Sequence, residues 1–174
     1  TLSQGKQVLY LVPEIALTTQ LTQRLRSIFV EVMGVYHSGL TPTARRDLWL
    51  RQSADALPLI LGARSAVFLP WQRLGLVIID EEHEPSYKQE EPAPRYHARS
   101  VALMLARMVG AKTLLGTATP SIETYHLAQS GRYGLVTLTE RYNAQLPAVE
   151  VVDTALLRHR RQMKGLLSPR LIEA

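Results

Sequence analysis

The residues best able to do chemistry are three consecutive carboxylates followed by a histidine, Asp80-Glu81-Glu82-His83. This acidic loop (80–83) comes directly after the apolar run 76–79. At the end of a buried strand, desolvation makes such a cluster unfavourable unless a cation or hydrogen-bond donors compensate for it. An aspartate there can hold Mg²⁺ through water, and the next glutamate can deprotonate a water that attacks a γ-phosphate. The alternative is a solvated acidic loop, and these four residues in isolation favour neither.

A second polar segment, 116–121, also follows an apolar run and has the sequence Gly-Thr-Ala-Thr-Pro-Ser. The threonine hydroxyls and small residues of this threonine segment suit a tight connection that touches the acidic loop of the neighbouring strand. The same residues are suited to start a helix, with Thr119 as the N-cap, Pro120 at the first helical position and Glu123 nearby. The two predictions are compatible with each other.

Apolar runs alternate with segments of helical period, so strands and helices are predicted to alternate along the chain. The predicted strands are 7–12, 30–36, 58–61, 74–79 and 112–116, and the predicted helices are 15–29, about 43–52 and about 95–109. This order predicts an α/β fold with a mostly parallel sheet of about six strands. Run 76–79 is apolar on both faces, which indicates a central strand and the deepest one in the pattern.

Ligands of such sheets bind outside the carboxyl ends of the strands, so the residues after each run carry most weight. Besides the acidic loop and the threonine segment, these are Pro13-Glu14, His37-Ser38-Gly39 and Gly62-Ala63-Arg64-Ser65. Segment 84–94 contains three prolines and has no apolar period, which predicts an irregular loop. Beyond about Asn143 the pattern weakens into a short apolar piece, 148–152, and a basic segment, 158–161.

Composition restricts the class of protein. A chain of 174 residues that is 46% hydrophobic is long enough for one domain with its own core. The absence of cysteine excludes a disulfide framework and any cysteine-ligated zinc or iron–sulfur site within these residues. No apolar run is long enough to span a bilayer, so we expect no membrane partner. The net charge of +5 favours a polyanionic partner only if the positive residues share one face.

Five segments, in this order, resemble the motifs of superfamily-two helicases of the Asp-Glu-x-His class. They are 11–18, 36–40, 62–68, the acidic loop and the threonine segment. Segment 80–90, continued through 94–99, is more specifically similar to the primosomal replication-restart helicases of bacteria, in which this motif runs into an aromatic-rich loop. The resemblance covers nearly the whole chain and implies a RecA-like parallel sheet flanked by helices, the first motor lobe truncated at its N-terminal side.

The resemblance also implies roles for individual residues. Asp80 would ligate Mg²⁺ through water and Glu81 would be the general base. His83, Thr117 and Thr119 would relay between nucleotide and DNA. The residues implied to contact DNA are Pro13, Glu14, Arg64, Ser65, Tyr87, Lys88, Arg95, Tyr96 and His97.

Simpler interpretations stand beside some of these roles. Arg64 also suits a residue that only caps a strand end, and His37 is more typical of an ordinary loop histidine than of a ligand. Trp49, at helical spacing, is predicted to be a core residue. The basic segment 158–161 is more typical of a solvated linker than of a DNA-binding patch.

The resemblance implies ATP and Mg²⁺ as cofactors and unwinding in the 3′ to 5′ direction. It implies single-stranded and forked DNA, single-stranded DNA-binding protein and other primosome proteins as partners, in the bacterial cytoplasm. The family's phosphate loop, Gly-x-x-x-x-Gly-Lys-Thr, is not among these residues, because Gly5-Lys6 is followed by Gln7 and a strand. The second lobe and the zinc-binding cysteines are also not among them. We therefore expect 1–142 to be a partial ATP-binding lobe, 143–174 a connection toward the second lobe, and the chain alone to be inactive.

Two other classes of protein remain open from the residues themselves. One is a non-catalytic DNA-binding module that has the same fold, and the other is a metabolic α/β enzyme with a divalent metal at the acidic loop. The adjacent Asp80 and Glu81 favour the motor, since a passive binder gains nothing from carboxylates near phosphates. The metabolic enzyme explains neither the threonine segment nor the tyrosines and cations of 84–97.

Overall fold

The computed structural model describes residues 1–14, 19–29, 33–140 and 149–173. They belong to two compact units, Thr1–Gly134 and Leu135–Ala174. The predicted boundary between 142 and 143 lies outside the described residues. So do residues 15–18 of the predicted first helix and residues 30–32 of the predicted second strand.

The first unit is built on a sheet of parallel strands. They are β1 (Gln7–Leu11), β2 (Met33–Tyr36), β3 (Leu59–Gly62), β4 (Leu74–Ile79) and β5 (Lys112–Leu115). Their order in the sheet is β2-β3-β1-β4-β5, so β1 lies at the centre. The predicted α/β class with a parallel sheet is confirmed, although the described residues form five strands where about six were predicted.

A helix follows each strand of this unit except β3, which is connected to β4 through a 3-10 turn at Arg64–Phe68. The helices are α1 (Thr19–Ile28), α2 (Pro42–Ser53), α3 (Ala98–Val109) and α4 (Ile122–Gln129). The start of α2 is fixed by Thr41, whose side chain accepts a hydrogen bond from the Ala44 N–H, and by Pro42 in the first turn. The end of α3 is fixed by Gly110, whose φ of 68° lies in the left-handed region that glycine adopts without strain.

Two predicted helix starts differ from the structure by a few residues. The N-cap of α4 is Ser121, whose hydroxyl accepts from the Thr124 N–H, and not Thr119. Helix α3 begins at Ala98 and not near 95, because the preceding residues pair with the loop before them through an antiparallel bridge. In both places, residues that local propensity alone would assign to the helix start make other contacts. His97 pairs with Lys88, and the Thr119 hydroxyl lies beside His83.

Helix α3 covers one face of the sheet through a stripe of small residues. Ala98, Ala102 and Ala106, spaced four apart, are buried in the hydrophobic core. The helix packs on β4, where Val77 and Ile79 are completely buried. Because small side chains allow close approach, packing fixes the position of α3 relative to the end of β4.

The prediction that 76–79 forms the deepest strand is wrong. Leu76 and Ile78 are half-buried, whereas all residues of β3 are buried. Paired residues of neighbouring parallel strands share a face, which places Ile78 beside Leu114 of β5, and Leu114 is 57% exposed. The physical reason is that α3 covers the opposite face of β4.

The prediction that Trp49 is a core residue is also wrong, since its side chain is 45% exposed. Helix α2 presents a different stripe to the core. Leu48 packs against the core, and Gln52, one turn later, is completely buried. Helical spacing groups residues into stripes but does not say which stripe is buried.

The second unit contains two short helices, α5 (Thr154–His159) and α6 (Pro169–Glu173). The Asp153 side chain caps α5 by accepting hydrogen bonds from the first backbone N–H groups of that helix. The basic segment 158–161 is exposed, as a solvated face would be. Across the described parts of both units, no helix combines the length and apolar character needed to cross a membrane.

Candidate active site

The acidic loop is tied to both strands that flank β4. The Asp80 N–H donates to the carbonyl of Leu11 at the end of β1, at 2.9 Å. The Glu82 N–H donates to the carbonyl of Gly116, just past β5, at 3.0 Å. The loop therefore has its backbone fixed at the carboxyl edge of the sheet, where the sequence predicted a site.

The side chains of Asp80 and Glu81 are held differently. Asp80 accepts a hydrogen bond from the Tyr10 hydroxyl at 3.0 Å and another from the Glu81 N–H at 3.1 Å. Burial, and then the neighbouring Asp80, raise the pKa of Tyr10 to about 12, so the phenol stays a donor at neutral pH. Glu81 has a φ of 47°, which is strained for a residue with a Cβ, and its side chain is 48% exposed. A fixed carboxylate thus stands next to one that solvent can reach.

His83 joins the acidic loop to the threonine segment. Its Nδ1 lies 2.7 Å from the Thr117 hydroxyl and its Nε2 lies 3.2 Å from the Thr119 hydroxyl. The Thr119 N–H in turn donates to the Thr117 hydroxyl at 3.1 Å. A Glu81 carboxylate oxygen lies 3.7 Å from His83 Nδ1. The structure therefore brings together the predicted catalytic residues at one end of β4 and β5.

Glu82, which the sequence singled out only as part of the cluster, is the completely buried carboxylate of the loop. It forms an ion pair with Arg99 and accepts hydrogen bonds from the Ser121 N–H at 2.8 Å and the Thr124 hydroxyl at 3.0 Å. Burial by itself raises the pKa of Glu82, but these donors outweigh it and bring the pKa below its ordinary value. The negative charge of Glu82 is therefore compensated inside the protein.

The aromatic loop (84–97) is braced by its own backbone. Lys88 and His97 form an antiparallel bridge, and the Gln89 N–H donates to the Tyr96 carbonyl at 2.8 Å. The Gln89 side chain donates to two proline carbonyls between them, those of Pro92 and Pro94. The segment predicted to be irregular thus forms a narrow, self-supported arm that begins and ends beside the site.

Tyr87 occupies a place that the sequence did not predict. It was expected to contact DNA, but it is 1% exposed and belongs to the core, so neither ring face is open to a base. Its hydroxyl donates to the Asp80 carbonyl at 2.7 Å, and burial, followed by the nearby Asp80, raises its pKa. A tyrosine ring can be buried at little cost when its hydroxyl has a hydrogen-bond partner. The average polarity of the segment does not reveal that one of its tyrosines is buried in this way.

Arg64 supports the base of the aromatic loop. Its guanidinium donates to the backbone carbonyls of Ser86 at 3.2 Å and Lys88 at 2.8 Å. Beside it, the rings of Phe68 and Tyr96 meet edge to face, with centroids 4.8 Å apart. Burial raises the pKa of Tyr96, while the nearby Arg64 acts in the opposite direction. Segment 62–68 and the aromatic loop therefore form one packed surface.

The other predicted DNA-contacting residues differ in exposure. Arg95 is exposed and pairs with Glu91 at 3.0 Å. Lys88 and Ser65 are half-buried, and the Lys88 ammonium donates to the Arg95 carbonyl at 3.2 Å. His97 is half-buried, and burial, followed by Arg99 and Lys88, lowers its pKa.

Two of the predicted motif segments, 11–18 and 36–40, meet at the same edge of the sheet, on the side of β2 and not on the side of β4. Glu14, next to the buried Pro13, accepts hydrogen bonds from the backbone N–H and the hydroxyl of Ser38. Arg45 of α2 donates to the Ser38 carbonyl. The rest of segment 11–18, from 15 onward, lies outside the described residues.

Comparison with known proteins decides the family. A profile of DEAD/DEAH box helicases matches residues 1–127, which contain the acidic loop and the threonine segment. The chain belongs to the DEAD/DEAH box helicase family. The helicase resemblance of the five motif segments is confirmed.

Relatives of this DEAD/DEAH box helicase chain carry the name Replication restart protein PriA. The one from Bacillus subtilis (strain 168) is 46% identical over 153 residues, which cover 87% of this chain and 19% of the relative. The one from Chlamydia pneumoniae is 43% identical over 168 residues, which cover 96% of this chain and 22% of the relative. The chain thus spans about a fifth of the length of these relatives.

A solved structure supports the fold of this helicase chain. The DUF1998 helicase MrfA, bound to DNA and AMPPNP, is 11% identical with a TM-score of 0.50. The match covers 75% of this chain and 18% of that one. At this identity the likeness shows the RecA-like fold alone.

Sequence reasoning missed three residues of the candidate site. Tyr10 holds Asp80 from the neighbouring strand, and Arg99 and Ser121 hold Glu82. A signal was present for one of them, because a buried carboxylate next to a strand demands a cation, and Arg99 lies in the first turn of the next helix. Nothing in the spacing pointed to Tyr10, which is 70 residues away from its partner.

Proposed function

We propose that this chain is part of the motor of an ATP-dependent DNA helicase that acts in primosome assembly and in the restart of stalled replication forks. The family supports the ATP-driven motor, and the name of the relatives supports the role in restart. One contact carries the proposal: the Tyr87 hydroxyl at the base of the aromatic loop donates to the Asp80 carbonyl at 2.7 Å. It joins the base of a loop suited to DNA to the backbone of Asp80, whose carboxylate is suited to phosphate chemistry.

Asp80 fits the part of a magnesium ligand. Mg²⁺ at phosphate-handling sites is commonly held by one or two carboxylates together with water and substrate phosphates. The carboxylate oxygens of Asp80 accept one hydrogen bond each, and each keeps further acceptor capacity. No group of three histidine, aspartate or glutamate side chains suited to a metal is found in the part of the chain that the structure describes, so water and phosphate would complete the set. Bound there with ATP, Mg²⁺ would neutralise charge on the phosphates.

Glu81 is placed to be the general base. Its exposed carboxylate can meet a water, whereas Glu82 is fully buried and Asp80 is already held by two donors. The His83 ring, between Glu81 and the two threonine hydroxyls, links the position of the base to the threonine segment. In this proposal His83, Thr117 and Thr119 relay between nucleotide and DNA.

The DNA side of the proposal uses the exposed part of the aromatic loop. Arg95 can track phosphates, and Tyr96 with Phe68 offers aromatic surface for an unpaired base. Lys88 and His97 contribute at the rim, Pro13 and Glu14 at the other side of the sheet edge. Single-stranded and forked DNA are the proposed substrates, with movement from 3′ to 5′. Single-stranded DNA-binding protein and other primosome proteins in the bacterial cytoplasm are the proposed partners.

A non-catalytic DNA-binding module of RecA-like fold is the alternative function. It would need the aromatic loop but would have no use for a strained, exposed Glu81 beside a fixed aspartate. The left-handed φ of 47° at Glu81 favours the motor, since backbone strain of this kind is retained mainly at functional sites.

The test replaces Glu81 by glutamine in a full-length protein that carries this chain and has the length of its relatives. Glu81→Gln keeps the shape of the site and removes the base, so ATP binding should persist while turnover and fork unwinding fall at least about a hundredfold. The measurements are binding of a fluorescent ATP analogue, steady-state ATP hydrolysis and unwinding of a labelled fork.

Glu173→Gln, an exposed carboxylate of α6, is the matched control and should retain normal turnover. Fork unwinding by Glu81→Gln at a rate close to that of the unmodified protein would reject the proposed role of Glu81. Fork binding without any ATP-dependent unwinding in the unmodified protein would favour the DNA-binding module.

A further inference from the structure

Glu82 is the carboxylate of the acidic loop that faces away from solvent. Its side chain is 0% exposed, so neither nucleotide nor attacking water can reach it in this structure. A buried ion pair also adds little to the stability of a fold, because well-packed apolar side chains of the same size often stabilise it as well or better. The charge of Glu82 therefore calls for a role in positioning.

Arg99 connects this carboxylate to the end of the aromatic loop. It lies in the first turn of α3, two residues after the loop ends at His97. One guanidinium nitrogen of Arg99 faces the Glu82 carboxylate, the Glu82 carbonyl at 3.3 Å and the Ser121 hydroxyl at 2.7 Å. Any shift of the loop end that moves the first turn of α3 must displace these contacts.

Glu82 also holds the far end of the threonine segment. Its carboxylate accepts from both the N–H and the hydroxyl of Ser121, the N-cap of α4, and from the Thr124 hydroxyl. The next residue, His83, holds Thr117 and Thr119 at the near end of the same segment. Glu82 and His83 together thus fix both ends of the threonine segment to the acidic loop.

We propose that Glu82 and Arg99 are positioning residues that transmit movement of the aromatic loop to Glu81 and to the threonine segment when single-stranded DNA binds. The inference rests on the proposed helicase function and adds a second connection to it. Tyr87 links the start of the loop to Asp80, and Arg99 links its end to Glu82. The acidic loop is then held from both ends of the arm that meets DNA.

The experiment uses the full-length protein that carries this chain, with a Glu82→Gln substitution and a separate Arg99→Lys substitution. Gln keeps the size and one acceptor. Lys keeps the positive charge but replaces the planar guanidinium, one nitrogen of which faces all three acceptors, by a flexible ammonium that is not held in that geometry. In each variant the ratio of ATPase rates with and without saturating single-stranded DNA should fall about tenfold. The affinity for a labelled oligonucleotide should stay within about twofold, since no DNA-contacting group is changed.

A merely structural role would lower DNA affinity, ATP affinity and stimulation together, or would move only the unfolding temperature. Loss of stimulation at constant oligonucleotide affinity separates positioning from folding. Arg107→Lys, an exposed arginine in the last turn of α3, is the matched control and should retain stimulation. If Glu82→Gln does not fold, Arg99→Lys decides, because it leaves the buried carboxylate paired with a cation.

Normal stimulation in a folded variant of either residue would overturn the inference. Failure of this inference can be distinguished from failure of the proposed helicase function. Undiminished unwinding by Glu81→Gln would reject the catalytic assignment, whereas an inactive Glu81→Gln together with normally stimulated Glu82→Gln rejects only the positioning role.

Discussion

The acidic loop and the aromatic loop are neighbours in sequence but are held by different kinds of bonds. In the acidic loop, side chains bond to side chains, and its buried member, Glu82, pairs with a guanidinium. In the aromatic loop, side chains bond mainly to backbone carbonyls, as Arg64, Lys88 and Gln89 do. Bonds between a charged pair require specific residues, whereas a carbonyl accepts from any donor in reach. Beyond the backbone bonds to Leu11 and Gly116, the side chains of the acidic loop are therefore held by specific partner residues, whereas those of the aromatic loop brace its backbone.

The two loops also differ in exposure. Residues 90–95 of the aromatic loop are exposed, whereas Tyr87 near its start and Ala98, the first residue of α3 just after it, are buried. An arm with an exposed tip and buried ends can meet a ligand without exposing the core. This difference suggests a division of work in which the tip senses DNA and the buried ends report to the site.

The largest effect that would break this comparison is expected at Arg95, the last exposed residue of the tip, and at the half-buried Tyr96 that follows it. In the full-length protein, Tyr96→Ala or Arg95→Ala should leave basal ATP hydrolysis nearly intact and reduce its stimulation by single-stranded DNA about tenfold, because stacking is worth roughly 1–3 kcal/mol per base. The ATPase rate is measured against DNA concentration at fixed salt, since phosphate contacts weaken with ionic strength. Tyr125→Ala, which removes a half-exposed tyrosine of α4, is the control.

Undiminished stimulation in both variants would mean that the aromatic loop is structural. The DNA sensor would then have to lie around Arg64 or at Pro13 and Glu14. The supposed difference between the two loops would have no functional meaning in that case.

A smaller effect is expected at Arg64, which the sequence assigned either to DNA or to a strand end. The structure shows its guanidinium on the carbonyls of Ser86 and Lys88. If Arg64 is a brace for the loop, Arg64→Ala should speed amide hydrogen exchange at 86–89 while the salt dependence of DNA binding stays unchanged. A residue that binds phosphate would instead reduce the slope of log affinity against log salt by about 1. Arg95→Ala, measured in parallel, gives the response of an exposed arginine.

The sequence predicted most of the fold and the meeting of the acidic loop with the threonine segment, because both depend on local patterns. β-branched apolar runs specified strands, and residues after parallel strands must meet at one edge, which brought His83 to Thr117 and Thr119. The direction in which a side chain faces was not predictable. Trp49 was expected inside and is exposed, and Tyr87 was expected outside and is buried.

Contacts between residues distant in sequence were the other gap. Tyr10 lies on β1 and Asp80 directly follows the neighbouring β4, but the order of those strands follows from helix packing and not from any one segment. Thr119 was predicted as the N-cap of α4 because threonine and serine are both good N-caps, but Ser121 is held at the helix start by Glu82 whereas the Thr119 hydroxyl faces His83. Local propensity narrows such choices, and tertiary hydrogen bonds then decide among them.

The smallest effect is expected from pH, at the point where the two loops meet. His97 closes the aromatic loop, and its Nδ1 is buried with no hydrogen-bond partner among the residues that the structure describes. Burial, then Arg99 and Lys88, lower its pKa, while Glu82 acts weakly in the other direction. Because its folded-state pKa lies below the unfolded value of about 6.5, protonation favours the unfolded chain. Stability should therefore decrease as pH falls below the unfolded value and be unaffected by this group above it.

Replacing His97 by glutamine removes this titration, so the unfolding temperature of His97→Gln relative to the unmodified chain should rise as pH is lowered from about 7.5 to 5.5. Thermal unfolding followed by circular dichroism at both pH values measures the difference. His159→Gln, which removes an exposed histidine of α5, is the control for losing a histidine elsewhere. The sign of this change in unfolding temperature matters more than its size, because a histidine that is open to solvent would show no such change. A pH-independent difference between His97→Gln and the unmodified chain would mean that His97 is hydrated, and burial after the aromatic loop would then begin at Ala98, the first residue of α3.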